Sequence, residues 1–305
     1  FRRRGEYQRA VRVHEHLLSR GDLSRTDRER AQHALALDFL KAGLLDRAED
    51  ALRRLEGTPF EAQARMALLA IYERSRDWAQ ASDIAQRMQA SSQGDFSTRQ
   101  AHYLCEQALP LAARGELQAA QALLERAVAT APQAPRARIE MARLQQRMGR
   151  PDAALATLQA LADSAPAALA LAAPLLVETA LASGRAQQAG ALLQQHYQDM
   201  PSLDLLEAIV SLQAATDGSP GAGREWYVRH LDKEPSLVAA TKWLAGETLG
   251  HEQFHPQIQR ALEQAAKPLT RYRCAACGFE ARQHFWQCPG CQTWDSYPAR
   301  RVEEL

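Results

Sequence analysis

The stretch Gly115-Glu-Leu-Gln-Ala-Ala120 returns as Gly149-Arg-Pro-Asp-Ala-Ala154 and again as Gly184-Arg-Ala-Gln-Gln-Ala189, at steps of 34 and 35 residues. Each copy lies between two amphipathic stretches. Prolines mark the same period from another point in the unit, because Pro132, Pro166, Pro201 and Pro235 follow one another at 34, 35 and 34 residues. Two independent markers with one period imply a single supersecondary unit, repeated so that each copy buries the face its neighbour leaves open.

The unit is helical. Ala, Leu, Arg and Gln dominate, whereas Gly, Pro, β-branched and aromatic residues are sparse over the first 265 positions, a bias that favours helix throughout. The period resembles the tetratricopeptide repeat, in which a small residue sits where two helices cross and a proline stands where the second helix stops. Ala48, Ala81, Ala120, Ala154 and Ala189 fill the crossing position. Phe39 and Tyr72 on first helices face Leu52 and Ala85 on second helices, and Leu124, Leu158 and Leu193 recur at the corresponding place. The step widens to 39 residues between Ala81 and Ala120, where Ser91-Ser-Gln-Gly-Asp-Phe96 lengthens a connection, and the unit around Gly218 to Gly223 departs from the pattern.

The expected fold is therefore all-α, with residues 1–267 forming about six or seven hairpins, the first truncated, stacked into a right-handed superhelix. First helices of such hairpins line a surface suited to an extended peptide or a partner helix. The same array would also serve as a plain spacer.

Charge narrows the partners. With 37 basic and 36 acidic residues the chain carries +1, and the basic runs at Arg2 to Arg4 and Arg300 to Arg301 are short, so no extended field would attract a phosphate backbone. Nucleic acid is excluded as the expected partner. The most apolar stretch, Ala165 to Ala182, contains Pro166, Pro174 and Glu178 and does not read as a membrane span. The chain begins at Phe1, and Gly5-Glu6 opens what reads as the second half of a hairpin, so a preceding segment is expected in the natural protein.

From Pro268 the character changes, giving a second module at 268–305. Tyr272-Arg-Cys-Ala-Ala-Cys-Gly-Phe279 is followed by Trp286-Gln-Cys-Pro-Gly-Cys-Gln-Thr-Trp294. In a C-x-x-C turn two thiolates converge while backbone N–H groups stabilise their charge, and two such knuckles complete a tetrahedral S₄ site for one ion. Cys274, Cys277, Cys288 and Cys291 are thus the expected ligands, with zinc or iron as the ion, and the ten residues between the pairs leave room for one short hairpin. Redox-active dithiols or disulfides are the competing chemistry. Cys105, alone on an apolar helical face, reads as a small core residue. Six of the chain's 19 aromatic residues fall between 270 and 305, so some of these rings are expected to dock on the repeats.

Two features admit an enzyme reading. His251-Glu-Gln-Phe-His255 is a literal H-E-x-x-H, in which two imidazoles one turn apart bind zinc. Pro256 disfavours helical geometry at His255, and no third ligand is evident downstream. Electron transfer through an iron S₄ site is the other reading. Against it, Gln292 stands where rubredoxins commonly have Gly, and the gap between the cysteine pairs is shorter than theirs.

Tetratricopeptide hairpins that end in Tyr-x-Cys-x-x-Cys-Gly-Phe and Trp-x-Cys-Pro-x-Cys-x-x-Trp resemble the lipopolysaccharide assembly protein B family of Gram-negative bacteria. Arg4-Gly-Glu-Tyr-Gln-Arg-Ala-Val-Arg-Val-His14 and Ala42-Gly-Leu-Leu-Asp-Arg-Ala-Glu-Asp50 are similar to its early repeats. The resemblance implies a rubredoxin-like tail held by the four cysteines, and an N-terminal membrane helix, absent here, at the cytoplasmic face of the inner membrane. It further implies a non-enzymatic adaptor that brings the lipid A pathway deacetylase to a membrane-bound ATP-dependent metalloprotease. A scaffold for lipopolysaccharide synthesis or transport proteins is the alternative, and a homodimer is compatible with the exposed edges of an array.

Overall fold

The computed structural model describes residues 1–219, 221–247 and 255–305. Of the H-E-x-x-H stretch, residues 251–254 lie outside that range, and His255 opens a helix. The chain divides into two compact units, Phe1–Pro110 and Leu111–Leu305, and each is a stack of antiparallel helices.

In the first unit α1 (Tyr7–Ser19) packs on α2 (Arg25–Lys41), which pairs with α3 (Leu45–Arg53), followed by the pair α4 (Glu61–Ser75) and α5 (Trp78–Ala90). Ser24 and Asp77 start α2 and α5 by accepting the N–H of Asp27 and Gln80, which satisfies donors that a helix start leaves open. The fully buried carboxylate of Asp38 ties the chain start to this stack, accepting from Arg2 Nε and pairing with His14 Nδ1. Helix α6 (Ser97–Ala113) contains Pro110, whose missing N–H interrupts the ladder where the two units divide.

The second unit continues with α7 (Leu117–Thr130), α8 (Pro135–Arg147), α9 (Pro151–Ser164), α10 (Leu169–Ala182), α11 (Ala186–Asp199), α12 (Leu203–Asp217), α13 (Glu225–Leu231), α14 (Leu237–Leu244) and α15 (His255–Ala266). Helices α8 and α9 start with proline at a position whose N–H would be unpaired anyway. Gly115, Gly149 and Gly184 take φ of 86°, 71° and 67° in the turns that join helix to helix, a region open to glycine at little cost. All five crossing alanines are at 0% exposure, and Leu52, Ala85, Leu124, Leu158 and Leu193, one turn further along the same helices, are buried as well. Phe39, Tyr72 and Cys105 are core residues as well. The architecture is tetratricopeptide-type and all-α, closed by a small cysteine-bearing module with one short strand pair. Among the described residues no helix is long and apolar enough to cross a membrane.

Candidate metal centre

Strands β1 (Tyr272–Arg273) and β2 (Glu280–Ala281) pair antiparallel, Tyr272 with Ala281 and Arg273 with Glu280, and the first knuckle is the turn between them. The second knuckle is closed in the same manner by the bridge between Gln287 and Trp294. The spacer between the cysteine pairs therefore does not form a hairpin of its own, as its length had suggested. Its two ends pair outward instead, because each C-x-x-C turn is tight enough to serve as the tip of its own ladder.

The knuckles are near copies of each other. Cys274 N–H donates to Phe279 O and Gly278 N–H to Cys274 O, both at 2.9 Å. Cys288 N–H donates to Thr293 O at 2.9 Å and Gln292 N–H to Cys288 O at 2.8 Å. Each needs a left-handed residue directly after its second cysteine. Gly278 supplies it at φ 76°, whereas Gln292 is held at φ 61° despite its Cβ. The departure from glycine noted in the sequence thus leaves the turn intact but strained. Gln292→Gly is expected to stabilise the module by about 1 kcal/mol, read as a shift in the midpoint of metal-loaded thermal unfolding.

The four Sγ atoms lie within 4.8 Å of one another, with Cys274 to Cys291 at 3.8 Å and Cys277 to Cys288 at 3.7 Å. A tetrahedron with metal–sulfur bonds of about 2.3 Å has an edge of about 3.8 Å, so this donor set fits one ion of the zinc or iron type. All four are free cysteines. Burial opposes ionisation of Cys274, but Ser296 Oγ at 3.2 Å and the backbone N–H groups of Cys277 and Ala276 outweigh it and bring the thiol down to about 6. At Cys277 the Phe279 N–H favours the thiolate, yet burial and the three neighbouring sulfurs push it up to about 12. Without a cation, four thiolates at this spacing cannot all be charged, and a divalent ion removes that conflict.

The module rests on the repeats through the first helices of successive hairpins. Tyr272 Oη donates to Asp204 Oδ2 on α12 at 3.0 Å, and the Arg301 guanidinium grips the same carboxylate with Nη2 2.5 Å from Oδ1 and Nε 3.1 Å from Oδ2. Burial works against the Arg301 charge, but Asp204 outweighs it and raises the guanidinium's pKa. Arg301 also lies over the Tyr272 ring, 4.3 Å from its centroid. Two glutamates at the chain end then accept from helix starts. Glu304 takes the Leu203 N–H of α12 at 2.8 Å, and Glu303 takes the Leu237 N–H of α14 at 2.6 Å and the Ser236 hydroxyl at 2.7 Å. Trp286 packs against the repeat core and Leu171 of α10 against the module's own core, which fulfils the docking expected of the aromatic surplus. Over α10, α12 and α14, the first-helix face that suits a peptide or a partner helix carries the chain's own tail. None of these contacts was marked by the repeat, since Asp204 and Arg301 are 97 residues apart and lie on no shared period.

Hairpins of this kind closed by a four-cysteine tail define a tetratricopeptide-repeat protein with a rubredoxin-type metal-binding module. A family profile for the tetratricopeptide repeat matches residues 111–177, and one for a rubredoxin metal binding domain matches residues 272–297. Over its whole length the chain is similar to lipopolysaccharide assembly protein B of Escherichia coli K12, 28% identical over 312 aligned positions that span 80% of that protein. The protein of the same name from Haemophilus influenzae is 25% identical over 97% of this chain and 76% of its own length. Among solved structures, a tetratricopeptide repeat protein from Parabacteroides merdae aligns with a TM-score of 0.39 at 15% identity, over 77% of this chain and 92% of that one.

Proposed function

We propose that Cys274, Cys277, Cys288 and Cys291 hold one zinc or iron ion, and that residues 268–305 so held form a module that braces the array of residues 1–267. On this reading the protein is a non-enzymatic adaptor. It brings the lipid A pathway deacetylase to a membrane-bound ATP-dependent metalloprotease at the cytoplasmic face of the inner membrane, and so limits lipopolysaccharide synthesis. The observation that carries the reading is similarity over the whole of this chain to lipopolysaccharide assembly protein B, in a chain built of tetratricopeptide hairpins, a form suited to holding peptides. The word assembly in the relatives' name favours a second reading, a scaffold that gathers lipopolysaccharide synthesis or transport proteins. Anchorage by an N-terminal helix would raise the local concentration of any of these partners by confining them to one surface.

Deacetylase half-life in cells separates the two. Depletion of this protein is expected to prolong it several-fold, with turnover restored by the wild type and not by Cys274→Ser with Cys277→Ser. A half-life that never changes would overturn the adaptor reading and leave the scaffold.

A further inference from the structure

Between the first-helix face and the metal module lies a cavity of about 420 Å³ that the metal does not use. One side of it is aromatic. His284 meets Trp286 edge-on with ring centroids 4.7 Å apart, and Tyr272 at 5.7 Å. Burial lowers the pKa of His284, and its Nε2–H donates to Tyr297 O at 3.0 Å, so the neutral ring keeps Nδ1 as an acceptor. Polar walls surround the rings, with Arg143 and Glu140 from α8 and Arg282 and Arg301 from the tail.

The three guanidinium groups are in different states. Arg301 is committed to Asp204, and Arg143 lies 3.1 Å from Glu140. Arg282 is exposed and, among the described residues, has no hydrogen bond or ion pair. Arg136, buried nearby, adds to the positive field felt at His284. A surplus of cations over one wall carboxylate, set against ring faces, suits a singly charged carboxylate on an aliphatic stem. A phosphate dianion would meet stronger repulsion from Glu140.

We propose that this cavity docks an acidic segment of the recruited partner, with a partner carboxylate on Arg282 and Arg143 and its methylene stem against His284 and Trp286. The proposal rests on the adaptor reading and adds to it the place of contact. Because one wall belongs to α8 and the other to the tail, the site is complete only while the module is docked. Metal loading then becomes a condition of partner binding rather than a matter of stability alone.

The test uses the full chain, metal-loaded, with purified lipid A pathway deacetylase as the probe. Arg282→Glu is expected to weaken binding ~10-fold or more, Arg143→Glu similarly, and Arg282→Lys much less. Metal content and thermal unfolding of Arg282→Glu should match the wild type, since Arg282 makes no hydrogen bond or ion pair with the described residues. Arg126→Glu, an exposed reversal on α7, should bind as the wild type does. Equal binding by wild type and Arg282→Glu overturns the docking site and leaves the adaptor reading standing. Equal weakening by Arg126→Glu overturns it too, since the attraction is then diffuse. A wild type that does not bind the deacetylase overturns the adaptor reading, and the docking site with it.

Discussion

Stripping the metal from the purified chain is expected to unfold residues 268–305 while the helices α7 to α11 persist. The module has two strands of two residues each and a small core of Tyr272, Cys274, Cys288 and Tyr297. So little buried area cannot hold a segment of this size together, and structural metal sites of this kind contribute on the order of 10 kcal/mol to folding. Removing the ion also leaves the crowded sulfurs in conflict, with Cys277 at about 12 and Cys274 at about 6. Chelation should make the tail cleavable by a protease added in trace, change the environment of Trp286 and Trp294, and leave most far-ultraviolet helical signal in place. Cys274→Ser with Cys277→Ser should reproduce all three effects without chelator. A metal-free chain whose tail resists protease as the loaded chain does would show that the repeats alone hold it.

The repeats were legible because their packing is periodic. A single small residue at each helix crossing, a proline after α7, α9, α11 and α13 and a glycine at three of the turns recur at nearly constant spacing, and every crossing alanine proved fully buried. The cysteine pairs were legible for a similar reason, since ligand spacing is local. The surface joining the two was not legible. It is made by Asp204, Tyr272, Arg301, Glu303 and Glu304, ordinary polar residues whose roles come from pairing across about a hundred positions. Even the aromatic surplus of the tail pointed only to docking, not to which helices receive it. Arg282 carried no signal at all, because what distinguishes it is the lack of a partner among the described residues, in a cavity that appears only once the tail is docked.

Asp204→Ala is expected to release the tail from α12 and α14 without removing its metal. The carboxylate is buried and serves two partners, the Arg301 guanidinium and the Tyr272 hydroxyl. Deleting one side of a buried ion pair leaves the other charge uncompensated, which typically costs about 3–5 kcal/mol. That free energy is lost from docking, since Arg301 also anchors the chain end through Thr270 O at 2.6 Å and through its own N–H to Glu304 at 2.6 Å. Once Arg301 lets go, Glu303 and Glu304 lose their hold on the helix starts. Hydrogen exchange reports this directly, because the amides of Leu203, Leu237 and Val238 donate to those two glutamates. Their exchange should speed up about 100-fold or more, at roughly 1.4 kcal/mol per tenfold, while metal content stays at one ion per chain. Asp204→Leu with Arg301→Met should restore much of the protection, because a matched apolar pair carries no desolvated charge. Unchanged exchange at all three amides in Asp204→Ala would mean that the tail is held by its ring contacts alone, with the ion pair adding nothing to docking.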